Sequence, residues 1–107
     1  MSVNYVSAIA LTSKNTTGLT GGYDIVNSGL SEACFLLRII NDSNRDVTIS
    51  YDGVTAHDYV TAGSNMEINA QANSSLPGNS ALFKKGLPVY VLGTAGTGFI
   101  YVAGYYS

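Results

Sequence analysis

The sequence predicts an all-β chain, a single-domain antiparallel β-sandwich or small barrel of about eight short strands spanning residues 1–107. Three observations carry that expectation. β-Branched and aromatic residues come in short runs, either alternating with polar residues or continuous. Gly, Asn, Ser and Asp interrupt these runs at close intervals. No stretch carries the apolar period of a long amphipathic helix. A chain of 107 residues suffices for one modest core and is too short for two.

The expected strands follow in order. "NYVSAIAL" (4–11) comes first, then the glycine-rich "TTGLTGGYD" and the short run "YDIVN" (23–27), so that residues 1–32 read as a looser strand-and-loop region. "CFLLRIIN" (34–41) and "DVTISYD" (46–52) flank "DSNR", whose Asp42, Ser43 and Asn44 suit a tight turn, and a hairpin is expected there. In the second of these runs Val47, Ile49 and Tyr51 share one face, and Thr48, Ser50 and Asp52 the other. "HDYVT" (57–61) and "NMEINA" (65–70) come next, with Gly53 making the turn after Asp52. The polar stretch "QANSSLPGNSA" is the longest within the chain, and a mobile or partner-contacting loop is expected. "LPVYVL" (87–92) and "FIYVAGYY" (99–106) are separated by "GTAGTG", read as a second hairpin whose glycines supply positive φ angles.

Composition narrows the function. Charged residues make up 11% of the chain, under half the usual share of about 25%, and the net charge is −2. So few charges offer little repulsion between copies, which suits a subunit packed among neighbours. The five basic residues, Lys14, Arg38, Arg45, Lys84 and Lys85, are scattered and form no stripe along which a phosphate backbone could run, so no nucleic-acid partner is expected. No run approaches the roughly 18 apolar residues of a membrane span, and the start "MSVNYVSAIALTSKN" lacks the pattern of a secretory signal, so synthesis in a cytoplasm without a membrane partner is expected.

No catalytic, cofactor or metal set emerges, and the chain is not expected to be an enzyme. The lone histidine, His57, stands between Asp52 and Asp58 but has no Gly-flanked nucleophile to serve, and a strand connection accounts for the whole stretch. Metal-ligand spacings such as H-x-x-x-H or C-x-x-C are absent, and the carboxylates are dispersed. "GTAGTG" precedes a strand rather than the helix a phosphate loop requires. Cys34, the one cysteine, sits in the apolar run "ACFLLRII" and reads as a small buried hydrophobe.

Tyrosine is the most informative residue type, with eight Tyr and no Trp. In "FIYVAGYYS", Ile100, Val102 and Gly104 point one way while Phe99, Tyr101, Ala103 and Tyr105 point the other, so both faces are substantially apolar. Either a central strand is covered on both sides, or its outer face meets another subunit, and on the second reading Tyr5, Tyr105 and Tyr106 are the candidate subunit-interface residues. Stacking of a carbohydrate on exposed tyrosines is a further alternative.

The run "IINDSNRDVTISYDGVTAHDYVTAG", together with "GLPVYVLGTAGTGFIYVAGYY", resembles a family of small structural proteins encoded by tailed bacteriophages. The resemblance covers about residues 33 to 107. It implies a non-enzymatic virion component with a β-rich fold, assembled in the host bacterial cytoplasm and present in many copies. Its implied partners are copies of itself and other virion proteins such as the major capsid protein. A capsid-associated cement or decoration subunit is the first expectation, and a ring-forming connector, adaptor or tail component the second. The shared motifs are turn and core signals, so the resemblance carries over no functional residues.

Overall fold

Short alternating runs become two facing antiparallel sheets in the computed structural model, which describes residues 5–70 and 82–107. The strands are β1 (Ser7–Ala8), β2 (Thr12–Asn15), β3 (Asp24–Asn27), β4 (Leu36–Ser43), β5 (Val47–Ser50), β6 (Asp58–Val60), β7 (Asn65–Asn69), β8 (Val89–Leu92) and β9 (Gly98–Tyr106). A five-stranded sheet runs β1-β9-β4-β7, with β2 also paired to β9, and a four-stranded sheet runs β3-β8-β5-β6. The sheets are open, so of the two expected architectures the sandwich is the one formed. The expected strand runs from residue 23 onward each overlap an observed strand, with β4 running two residues further and β9 starting one residue earlier than expected. β2 was not among the expected strands: "TSKN" has little apolar character, and it is a strand because β9 lends it an edge to pair with. The stretch at 71–81, expected as a loop, lies outside the described residues.

The core forms where the inward faces meet. Leu37, Ile39, Ile100 and Val102 from the five-stranded sheet pack against Val47, Ile49, Val89 and Val91 from the other, and all are fully buried. Removing each such side chain from water contributes about 1.5–3 kcal/mol. Gly104 continues the inward row of β9 and leaves room for Cys34 and Ile9, whose side-chain atoms lie only 3.0 Å from where a Cβ would stand. Asn41 is the polar exception in the inward row of β4. Its buried Nδ2 donates to the carbonyls of Arg45 (2.7 Å) and Val60 (3.0 Å), and its Oδ1 accepts from the Ser43 hydroxyl (2.6 Å), which offsets the cost of burying the amide and ties the end of β4 to the opposite sheet.

Two expected hairpins are corrected. β4 and β5 lie in different sheets, as do β8 and β9, so "DSNR" and "GTAGTG" both carry the chain across the sandwich. Turn chemistry reverses a chain equally well within a sheet or between sheets, and here the facing apolar rows select the crossing. The two crossings brace one another. The Asn44 amide donates to the Thr97 carbonyl (3.1 Å), the Thr97 amide to Asn44 Oδ1 (2.8 Å), and Arg45 Nε to the Ala95 carbonyl (3.1 Å). Of the glycines in this loop only Gly98 has a positive φ, at 121°.

Candidate functional site

The histidine loop resolves into structure. β5 and β6 pair as a true hairpin, and Gly53, at φ 78°, lets the chain turn over the ring of Tyr90. Asp52 accepts from the amides of Val54 and Thr55, both at 2.8 Å, and from the Ser50 hydroxyl at 2.9 Å. The Thr55 and Val54 bonds, followed by Ser50, hold its carboxyl well below the usual carboxylate range. His57 is exposed, but its Nδ1 accepts from the Tyr51 amide (3.0 Å) and its ring stacks on Tyr51 with centroids 5.3 Å apart. The Tyr51 hydroxyl donates to Asp58 (2.6 Å); burial first, then Asp58, pushes that phenol up. Every polar group that drew attention in the sequence is thus engaged in closing the turn. The His57 Nδ1 lone pair is taken up by the Tyr51 amide, and Asp52 Oδ1 by the amides of Val54 and Thr55.

The other single residues also take structural places. Cys34 is fully buried, and burial, with the nearby Glu32 charge second, raises its thiol above the ordinary value. Among the described residues no group of three or more His, Cys, Asp or Glu stands together as a metal site. Among the same residues no helix is long and apolar enough to cross a membrane.

The feature that remains is the outward face of the five-stranded sheet. The register sets Leu36 beside Tyr105, Arg38 beside Ala103, Ile40 beside Tyr101 and Asp42 beside Phe99, all on the side away from the core. Phe99 and Tyr101 tilt against each other with centroids 6.0 Å apart. β9 is therefore a central strand, and the described chain covers only one of its two apolar faces. Leu11 (59% exposed) and Val6 (65% exposed) extend the apolar surface at the β2 and β1 side. Two shallow hollows mark this face. One of about 320 Å³ is bordered by Leu11, Ile40, Asp42, Asn65 and Tyr101, and the other, of about 370 Å³, by Val6, Phe35, Leu36, Arg38, Glu67 and Tyr105. Arg38 Nε is buried and has no hydrogen-bond partner among the described residues.

The three tyrosines singled out from the sequence fall in different surroundings. Tyr5 is 78% exposed ahead of β1, Tyr105 is half-buried on the open face, and Tyr106, pointing the opposite way, packs against the core. Sequence reasoning passed over Arg38, Ile40 and Leu36. The available signal was the run "CFLLRII", apolar at both alternating positions, as in "FIYVAGYY". Pairing two such strands makes a sheet apolar on both sides.

No family model matches the chain, and no curated protein matches it. Among solved structures, it has a likeness to the Dit protein (gp 19.1) of SPP1, described as a paradigm of the hub adsorption apparatus in phages infecting Gram-positive bacteria. The TM-score is 0.45 at 8% identity, over 95% of this chain and 49% of that one, so the chain spans about half the length of that protein.

Proposed function

We propose that this chain is a non-enzymatic structural subunit of a tailed-phage virion, first of all a capsid-associated cement or decoration subunit, and that it meets its neighbours through the open face of the five-stranded sheet. The observation that carries the reading is the aromatic row Phe99, Tyr101 and Tyr105 beside Leu36 and Ile40, on the side of the sheet away from the core. An apolar surface of this kind on a chain with so little charge is costly to leave in water and gains from a partner. The sequence resemblance supports the virion as the setting. Copies of the chain and other virion proteins such as the major capsid protein are the proposed partners, with Tyr105 and Tyr5 at the contact and Tyr106 supporting the strand from the core side. A connector or tail component would use the same face.

The test is to label the subunit in purified virions with an antibody and locate it by electron microscopy, alongside a Tyr101→Lys variant. Wild-type label on the head, with the variant folded but missing from particles, is the expected result. Absence of the wild-type chain from virions, or normal incorporation of Tyr101→Lys, overturns the reading. Label on the neck or tail selects the connector reading. Glycan binding lost with Tyr101→Lys would select a carbohydrate-binding module instead.

A further inference from the structure

We infer that the partner seated on this open face is a second copy of the chain, related by a two-fold axis that crosses the strands at the Ile40–Tyr101 pair. The inference rests on the reading of this face as a contact surface and specifies what covers it. The register places three outward rows in succession: Arg38 with Ala103, Ile40 with Tyr101, and Asp42 with Phe99. A two-fold axis along the middle row brings Ile40 and Tyr101 against their own counterparts. It exchanges the outer rows, so that Arg38 faces Asp42 of the other copy and Phe99 faces Ala103. Charge meets opposite charge, and the largest apolar side chain meets the smallest.

Several observations favour this occupant. Arg38 Nε is buried without a hydrogen-bond partner among the described residues, although a buried guanidinium N–H ordinarily has one. Asp42 is exposed at the far end of the same strand, two residues beyond Ile40 as Arg38 is two before it. Phe99 remains 39% exposed next to Tyr101, whereas Ala103 leaves space between Tyr101 and Tyr105 on the same strand. Glu67, the remaining charge in the Arg38 row, is carried to the level of the Gly63 turn of the other copy, where a glycine leaves it room. Identical twisted sheets pack face to face about 10 Å apart with strands roughly 30° from alignment, which long side chains such as Arg38 readily span. A face four strands wide and eight residues long buries on the order of 1,000 Å² over both copies, at the low end of specific interfaces, so the pair should dissociate on dilution.

Reciprocal charge reversal tests the arrangement. Arg38→Asp opposes aspartate to Asp42 at both contacts, and Asp42→Arg opposes arginine to Arg38, so each variant alone should be monomeric by light scattering at concentrations where the wild type is dimeric. Mixed one to one they should form a heterodimer, because both contacts then pair opposite charges. Ala103→Phe, which sets ring against ring, should abolish wild-type pairing while retaining the fold by circular dichroism. Dimers of either charge variant alone, or a mixture that stays monomeric, would overturn the inference. So would a wild-type chain that is monomeric throughout, but the reading of the face as a virion contact would survive that result if Tyr101→Lys were still lost from particles.

Discussion

At the scale of single residues, hydrogen bonds give His57 a part in the strand connection expected around it. Its Nδ1 accepts the Tyr51 amide, and its ring covers the Tyr51 ring. His57→Ala should therefore cost about 1 kcal/mol, more than an unengaged surface change, and lower the melting temperature by about 4 °C. Thermal denaturation checks this, and an unchanged melting temperature would mean that water replaces the bond fully. Asp52 makes a prediction in pH. Its folded pKa is depressed, so its stabilisation is present above the unfolded value of about 3.9 and is lost as the pH falls through the folded pKa. Asp52→Ala should lower stability at neutral pH and flatten the loss below about pH 4. Urea titrations from neutral to acid pH would show it, and an acid limb as steep as the wild type's would rule it out.

At the scale of elements, the paired crossings at one end of the sandwich explain why two glycines of one loop should respond differently. A Cβ on Gly98 would collide with the backbone of Asp42 and Ser43, and its φ of 121° is closed to β-branched residues. Gly98→Val should cost more than about 3 kcal/mol. Gly96 has no positive φ, and its added Cβ would first meet the side chains of Asn44 and Arg45, which can move at the expense of the bond that the Thr97 amide donates to Asn44 Oδ1. Gly96→Ala should cost about 1 kcal/mol. Equal melting temperatures for the two variants would show that the crossings are not braced as described.

At the scale of the whole molecule, adjacent tyrosines separate folding from assembly. Tyr106 packs against the core and Tyr105 lies on the open face. Tyr106→Ser should lower stability by about 2 kcal/mol, or roughly 10 °C, whereas Tyr105→Ser should stay within about 0.5 kcal/mol of wild type and weaken incorporation into particles. Melting curves of the free chains beside the yield of incorporated subunit decide it. A large melting loss for Tyr105→Ser would assign that ring to the fold, and normal incorporation would remove it from the contact.

From residue 23 onward the sequence alone determined where the strands lie and which alternate positions are apolar, because the two-residue period of a strand is a property of neighbours along the chain; β2 exists only because β9 offers it an edge. Val47 and Ile49, read as sharing one face of their strand, turned inward together. The order in which strands pair was decided only by the tertiary structure. β4 lies between β7 and β9, and β9 is some sixty residues away in sequence, while the turns at "DSNR" and "GTAGTG" serve equally for a hairpin or a crossing. The same holds for the open face. "CFLLRII" and "FIYVAGYY" each present apolar residues on both sides, and nothing local says which side the second sheet will cover. That choice is made by contacts between residues distant in sequence, and it sets Arg38, Ile40 and Asp42 in register with Ala103, Tyr101 and Phe99 on the uncovered side.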